Sequence, residues 1–405
     1  MMLTAKYKIK FFSLFAALPA LLIVATPIMS SERSVASLSQ FKNWGLMNSV
    51  GDSHIHALEA WKLEEGSRDI VVAVIDTGID PNHPDIKPNL WKDKNTGVYG
   101  WDFVTNKPNP IDDHSHGTHV AGIMGAALNS KAGISGVARR VSIMAVKYYS
   151  DKNSGAENLK NSIKALNWAI DHGAKVINYS GGGPEYSSEE FAALKRARDK
   201  GILLVAAAGN ERQNTDLVEN YYYPCAYRLD NIICVAAINI RNEILASSNW
   251  GKARVDVAAP GENILSTVPG GKYSYMTGTS QATAFVSGLA ALMLSKDKSL
   301  KPEQIRDLIR ASVDKIAALK ERVYAGGKVN AHAALAALER GKTKRPPVTL
   351  VKSVPRNYPV SINERARPIL QKVMSKKGKS ANMPGPASSH EHGPAGRTTP
   401  HTTKL

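Results

Sequence analysis

The chain has 405 residues, of which 43% are hydrophobic and 21% charged, a composition that indicates a globular protein with a sizeable buried core. Its formal net charge is +17, but residues 341–405 carry thirteen Lys or Arg against two Glu, so most of the excess charge lies there and the rest of the chain is only mildly basic. The two cysteines are too few for a disulfide-stapled scaffold.

The N-terminal residues have the three-part layout of a secretory signal peptide. Three lysines precede an apolar stretch over residues 11–24, and a proline and small polar residues follow. This stretch is short for a membrane span, although an uncleaved anchor stays open as an alternative. We therefore predict a signal peptide over residues 1–30, a short segment over 31–40, and a secreted or periplasmic protein.

Strands and helices alternate along the middle of the chain. Residues 69–75 form a near-continuous apolar run rich in β-branched side chains, which is typical of a strand buried on both faces of a parallel sheet. Apolar runs and turn residues predict further strands over 141–146, 175–179 and 202–208. Helices are predicted from several signals. A segment of small residues predicts a helix that runs from His116 through Leu128, and apolar residues at helical spacing predict one over 159–170. A capping box of Ser187 and Glu190 predicts a helix from Ser187 to about Gly201, and Pro302 marks the start of another over 302–313; further helices are predicted from Ser280 through Leu294 and over 329–338.

This alternation predicts an α/β fold in which a mostly parallel sheet lies between helices. We expect the sheet and helices to form one domain over residues 41–340. From residue 341 onward prolines and lysines are frequent and apolar residues are sparse. Residues 341–405 are therefore predicted to be a basic, disordered tail rich in Pro, Lys and Ser.

Three residues indicate nucleophilic catalysis by a serine. Asp76 ends the first predicted strand, His116 opens a helix, and Ser280 opens another helix after a Gly-Thr turn. A serine nucleophile needs a base that takes its proton and an acid that holds the base in the correct tautomer. Asn210 follows a predicted strand and could donate its side-chain amide to an oxyanion beside the Ser280 backbone N–H.

Four segments around these residues resemble the signature blocks of the subtilisin-like serine proteases, and they occur in that family's order. The segments are VIDTGID (74–80), HGTHVAG (116–122), AAAGN (206–210) and GTS (278–280). The resemblance covers roughly residues 43–337 and implies a three-layer subtilisin-like fold and a serine endopeptidase that works through an acyl-enzyme. It also implies that Asp76 orients His116, that His116 acts as base and then acid, that Ser280 attacks, and that Asn210 binds the oxyanion.

The same resemblance implies where a substrate binds. The strand edge formed by Ser180, Gly181 and Gly182 would pair with the substrate backbone, and the segment from Ala207 to Gly209 would wall the primary specificity pocket. Three positions depart from the family's usual residues: Gln281 follows the nucleophile, Ala284 stands where proline is usual, and Gly181 replaces an apolar side chain. The missing side chain at Gly181 predicts a wider cleft.

The sequence leaves the metal and disulfide content open. By the resemblance, Asp85 and the loop over residues 128–134 correspond to a calcium site, while Asp85 is equally consistent with an ordinary turn residue. The three histidines of the HSHGTH segment, 114, 116 and 119, admit a zinc site as an alternative, whereas the resemblance leaves His119 structural. Cys225 and Cys234 are consistent with a disulfide in an exported protein or with two buried thiols.

Two rivals to the endopeptidase remain from the sequence alone. One is a peptide ligase or transpeptidase of the same fold, and the other is a binding protein with a catalytically quiet site. The expected partners are protein or peptide substrates, with no specific nucleic acid. The basic tail could contact anionic surfaces, and we expect a monomer.

Overall fold

The computed structural model describes residues 43–47, 51–129 and 134–343. The predicted signal peptide, the segment 31–40 and residues 344–405 of the predicted tail lie outside the described residues. Residues 341–343, which were also predicted to belong to the disordered tail, instead extend the last helix. The helices are α1 (Ala57–Trp61), α2 (His116–Gly125), α3 (Gly155–Asp171), α4 (Ser188–Asp199), α5 (Thr279–Lys296), α6 (Pro302–Ala311) and α7 (Ala331–Thr343). No helix in the described ranges is both long enough and apolar enough to cross a membrane.

The strands belong to one large sheet and one hairpin. In chain order they are β1 (Gly66–Asp76), β2 (Gly100–Asp102), β3 (Lys107–Pro108), β4 (Arg140–Lys147), β5 (Val176–Tyr179), β6 (Leu203–Ala207), β7 (Ile232–Ile238), β8 (Val257–Pro260), β9 (Ile264–Val268), β10 (Lys272–Met276), β11 (Asp314–Lys315) and β12 (Gly327–Lys328). The large sheet has the order β11-β12-β8-β7-β6-β5-β1-β4-β2-β3. Only its two outermost pairs, β11–β12 and β2–β3, are antiparallel, and β9 and β10 form the separate hairpin.

Both faces of the central strands are buried, which explains their continuous apolar sequences. Along β1, Val72 and Val74 face one apolar core, whereas Ala73 and Ile75 face the other. The first core lies between the sheet and α1, α2, α5, α6 and α7, and the second lies between the sheet and α3 and α4. The predicted fold class, a mostly parallel sheet in a three-layer α/β arrangement, is therefore confirmed.

The central helix of the first layer is α5, which is buried all round from Thr279 to Leu294. A helix that is apolar on every side has to lie inside the protein, because no polar face is available for water. This helix crosses the middle strands of the sheet. Its first turn, and with it Ser280, is thereby held near the carboxyl ends of those strands.

Three predicted helix features differ from the structure. Helix α2 ends at Gly125 rather than at Leu128, because Ala126 is extended and Ala127 pairs with Ser135. Val313 lies beyond the end of α6. Ser187 caps α4 by accepting a hydrogen bond from the Glu190 N–H at 3.1 Å, but the reciprocal bond of the predicted capping box does not form.

The Glu190 side chain is instead committed to the protein interior. Its carboxylate is buried and accepts hydrogen bonds from the Tyr227 hydroxyl at 2.8 Å and the Tyr179 hydroxyl at 3.2 Å. Burial raises the pKa of Glu190, and these two hydrogen bonds partly offset the effect. The tertiary contacts of Glu190 therefore outweigh the local capping interaction.

Cys225 and Cys234 form a disulfide. Cys234 lies in β7, so the bond ties the loop around Cys225 to the middle of the sheet. The Cys225 sulfur also lies 3.4 Å from the backbone oxygen of Ala207 at the end of β6. This loop is consequently held beside the segment that the sequence assigns to the wall of the specificity pocket.

Candidate active site

Asp76 and His116 meet at the carboxyl end of β1. The His116 Nδ1 lies 2.8 Å from Asp76 Oδ1, and Asp76 is only 3% exposed. Asp76 Oδ1 also accepts a hydrogen bond from the Thr77 N–H at 2.8 Å, which fixes the carboxylate in place. Because a carboxylate only accepts hydrogen bonds, the proton in this contact lies on Nδ1, and Nε2 is the nitrogen left to act as a base.

The close approach of α2 to β1 depends on Gly117. A Cβ atom at this position would collide with the backbone oxygen of Gly78 and would lie 3.2 Å from the Asp76 side chain. The Gly117 N–H donates to the Thr77 hydroxyl at 2.9 Å. Glycine at position 117 therefore lets the first turn of α2 lie directly against the end of β1, which brings His116 within reach of Asp76.

Asp112, which sequence reasoning missed, caps the N-terminus of α2. Ser115 precedes the helix with a positive φ and makes no side-chain cap. Asp112 accepts hydrogen bonds from the Ser115 N–H at 2.9 Å, from the Thr118 N–H at 2.9 Å and from the Thr118 hydroxyl at 2.6 Å. An acidic residue just before the HGTHVAG segment was the available signal, since carboxylates favour helix N-termini.

The charges around His116 favour its protonated form. Burial by itself would lower the pKa of His116, but the charge and hydrogen bond of Asp76, together with the charge of Asp112, raise the pKa above its ordinary value of 6.5. The site thus stabilises the imidazolium that forms when His116 takes a proton. Asp112 contributes to that stabilisation besides holding the helix.

Ser280 lies in the first turn of α5, opposite the strand edge that follows β5. Its hydroxyl donates to the Ser180 backbone oxygen at 3.1 Å, and the Ser180 hydroxyl donates to the Ser280 backbone oxygen at 3.3 Å. Within the described residues, the hydroxyl proton of Ser280 is therefore directed to Ser180 rather than to His116.

Asn210 lies beside the same turn. Its Oδ1 accepts hydrogen bonds from the Thr279 N–H at 3.0 Å and the Thr279 hydroxyl at 3.2 Å. A backbone N–H can only donate, so the oxygen of the amide must face Thr279 and the Nδ2 group must face away from it. Two N–H donors of an exposed side chain are thereby presented next to Ser280.

The predicted substrate-binding residues lie on two neighbouring segments. Ser180, Gly181 and Gly182 follow β5, while Ala207 and Gly209 lie at and just beyond the end of the adjacent strand β6. The prediction that Gly181 widens the cleft is wrong. A Cβ at Gly181 would collide with the Tyr148 hydroxyl, so the tyrosine already fills the space that a side chain there would take.

His119 has a structural environment. Its Nε2 lies 3.0 Å from the Ile264 backbone oxygen and 3.1 Å from the Ser274 backbone oxygen, and the ring is fully buried. Burial, and then the neighbouring His116, lower the pKa of His119 to about 3. The neutral ring directs its Nε2–H to these two carbonyl groups and so links α2 to the β9–β10 hairpin. A protonated Nε2 has no lone pair to offer to a zinc ion.

The predicted calcium ligand Asp85 is also buried. Its Oδ1 accepts a hydrogen bond from the Asn129 N–H at 3.0 Å, and its Oδ2 accepts from the Ile134 N–H at 3.2 Å and the Tyr273 hydroxyl at 2.6 Å. Asp85 thus holds both ends of the loop over residues 129–134. A carboxylate suits calcium, but residues 130–133 lie outside the described residues, so calcium binding stays a prediction.

Comparison with known proteins agrees with this architecture. The model of the subtilase family matches residues 67–335. A thermophilic serine proteinase of Bacillus sp. strain AK1 is 37% identical over 285 residues, which cover 70% of this chain and 66% of that protein, slightly less than two thirds. Thermitase of Thermoactinomyces vulgaris is 38% identical over 285 residues, covering 70% of this chain and 95% of that protein. Among solved structures, a protease from Pseudoalteromonas arctica superimposes with a TM-score of 0.63 at 26% identity, covering 74% of this chain and 98% of that one.

These findings place the chain among the serine endopeptidases, which are hydrolases. The chain belongs to the subtilase family.

Proposed function

We propose that the chain hydrolyses peptide bonds through Asp76, His116 and Ser280, with an acyl-enzyme on Ser280. The observation that carries this proposal is the 2.8 Å contact of His116 Nδ1 with a buried carboxylate, at the end of the sheet where α5 also presents a serine. A histidine oriented in this way needs only a nucleophile within reach of Nε2. The family membership supports the same assignment.

The chemistry would proceed in two halves. His116 Nε2 takes the proton of Ser280 as Oγ turns away from the Ser180 oxygen and attacks the substrate carbonyl carbon. The negative charge then forms on the carbonyl oxygen, where Asn210 Nδ2 and the Ser280 N–H at the start of α5 can donate hydrogen bonds. His116 gives its proton to the leaving amine, and a water molecule hydrolyses the acyl-enzyme by the same steps.

The raised pKa of His116 predicts the acidic limb of the pH profile. The free enzyme needs neutral His116 as the base, so kcat/KM should fall as the pH decreases through that pKa. Because the surrounding carboxylates raise the pKa, the midpoint should lie above 6.5. The measurement is kcat/KM on a small peptide from pH 5 to pH 9.

Asp112 and Asp113 offer a matched pair of variants for this measurement. Asp112→Asn removes one of the charges that raise the pKa of His116, so the midpoint should move to lower pH. Asp113 is paired with Lys147, and Asp113→Asn should leave the midpoint in place. A wild-type midpoint at or below 6.5 would contradict the electrostatic argument.

Calcium at Asp85 is a separate proposal, supported by the buried carboxylate and its loop. An ion that binds only the folded protein stabilises it by about 2.7 kcal/mol when its free concentration is roughly 100 times its Kd. Calcium should therefore raise the midpoint of thermal unfolding, and a chelator should reverse the shift. Asp85→Asn should abolish the calcium-dependent part of the shift, whereas Asp93→Asn, on an exposed turn, should retain it. A midpoint unaffected by calcium would contradict the proposal.

We further propose that the protein is exported, on the strength of the N-terminal sequence, and that its partners are protein or peptide substrates. Contact between the basic tail and anionic surfaces, and a monomeric state, are proposals of the same kind and rest on composition.

A further inference from the structure

The gap between the two substrate-binding segments contains the ring of Tyr222. A Cβ atom on Gly182 would lie 2.5 Å from Cε1 of this ring, and a Cβ on Gly209 would lie 2.9 Å from Cε2. The two edges of the ring therefore touch the two opposite walls. The ring edges thus occupy the space that a side chain at position 182 or 209 would take, and only glycine at these positions admits the ring.

The backbone that directly follows Tyr222 is fixed. The Tyr223 N–H donates to the Gly183 oxygen at 2.7 Å, and the Gly183 N–H donates to the Tyr223 oxygen at 3.1 Å. Beyond them, the disulfide of Cys225 with Cys234 ties the loop to β7. Because both anchors lie within three residues of Tyr222, the ring cannot leave the gap by a simple shift of the loop.

The phenol end of Tyr222 is buried near Glu211. Burial, and then the negative charge of Glu211, raise the pKa of Tyr222, so its hydroxyl stays uncharged at neutral pH. Glu211 Oε2 accepts a hydrogen bond from Asn249 Nδ2 and would lie 2.5 Å from a Cβ on Gly209. The carboxylate and the asparagine thus pack against the same wall as the ring and add to the filling of the gap.

The gap opens next to the reacting atoms. Ser280 Oγ is hydrogen-bonded to the Ser180 oxygen, on one wall, and Asn210 directly follows Gly209, on the other. An acyl group attached to Oγ, with its oxygen directed to Asn210, would place its α-carbon between these two walls. The side chain of the residue that supplies this acyl group would have to enter where the Tyr222 ring lies.

We propose that Tyr222 fills the primary specificity pocket and restricts cleavage to bonds that follow Gly, Ala or Ser. This inference rests on the proposed function. A side chain as large as Phe or Leu would have to displace a ring held at both edges and anchored in its backbone. A single methylene of misfit in such a pocket costs about tenfold or more in kcat/KM, and an aromatic side chain exceeds the available space by far more.

The test is a series of peptides that differ only in the residue whose carbonyl is attacked, with Gly, Ala, Ser, Leu, Phe and Lys compared by kcat/KM. The wild-type protein is expected to prefer Ala over Phe by about 100-fold or more. Tyr222→Ala should raise kcat/KM for Phe by at least about tenfold, while the value for Ala changes far less. For Tyr222→Leu, the kcat/KM for Phe should lie between the values of the wild type and of Tyr222→Ala. This variant provides the same comparison if the Ala variant does not fold.

Tyr221→Ala is the matched control. Tyr221 neighbours Tyr222 in the loop, but its ring packs against Arg254 at 3.8 Å instead of entering the gap, so the preference for Ala should persist. A wild-type protein that cleaves after Phe as well as after Ala would overturn the inference. So would a Tyr222→Ala variant with an unchanged preference.

Labelling by a fluorophosphonate separates this inference from the proposed function. If Ser280 is labelled but the protein cleaves without a preference for small residues, only the assignment of Tyr222 is contradicted. An unreactive Ser280 in the folded wild-type protein contradicts the proposed function and, with it, the inference that depends on it.

Discussion

Replacing Ser280 or His116 by alanine is expected to lower turnover by about a thousandfold or more in each case. The triad acts as one unit, because the hydroxyl is a weak nucleophile without the base and the base has no role without the hydroxyl. The double variant should therefore be hardly slower than either single variant. The measurement is kcat on a peptide ester with the folded state of each variant checked by circular dichroism.

Two controls lie close to these residues. Ser295 is on the same helix as Ser280, and its hydroxyl donates to the Ala291 oxygen one turn earlier in that helix, so Ser295→Ala should retain activity. His114 is two residues before His116 and is exposed, so His114→Ala should also retain it. Equal labelling of the wild type and Ser280→Ala by a fluorophosphonate would show that another residue is the nucleophile.

Replacing Asn210 by alanine is expected to lower kcat by about two to three orders of magnitude and to leave KM nearly unchanged. The Nδ2 donors would face an oxygen that carries full negative charge only in the transition state, so their loss affects that state far more than the bound substrate. The measurement is the separate determination of kcat and KM on one peptide.

The alanine variant also removes the acceptor of the Thr279 N–H, which lies in the turn that holds Ser280. Asn210→Asp controls for this second effect, because it keeps an oxygen facing Thr279 while it replaces the two donors by a negatively charged oxygen. If donation to the oxyanion is the role of Asn210, the Asp variant should be at least as slow as the Ala variant. A variant with unchanged kcat and a raised KM would assign Asn210 to substrate binding instead.

The helices and strands were largely predictable because their causes are local. The β-branched run of β1 ends at Asp76 in both the sequence and the structure, and the apolar segment after Ser280 forms the buried helix α5. Features that depend on distant partners were not predictable in this way. Glu190 has the spacing of a capping residue, yet two tyrosines that lie 11 and 37 residues away in the chain take its carboxylate.

By itself the sequence determined the class of fold and the order of the residues proposed for catalysis, because short segments with fixed turn geometry specify both. The tertiary structure alone decided what occupies the space between those segments. It placed the Tyr148 hydroxyl where a side chain at Gly181 would be, Asp112 under the first turn of α2, and the Tyr222 ring between Gly182 and Gly209. The physical reason is that a volume between two walls is filled by whichever side chain the packing of distant segments brings there, and no local pattern encodes that choice.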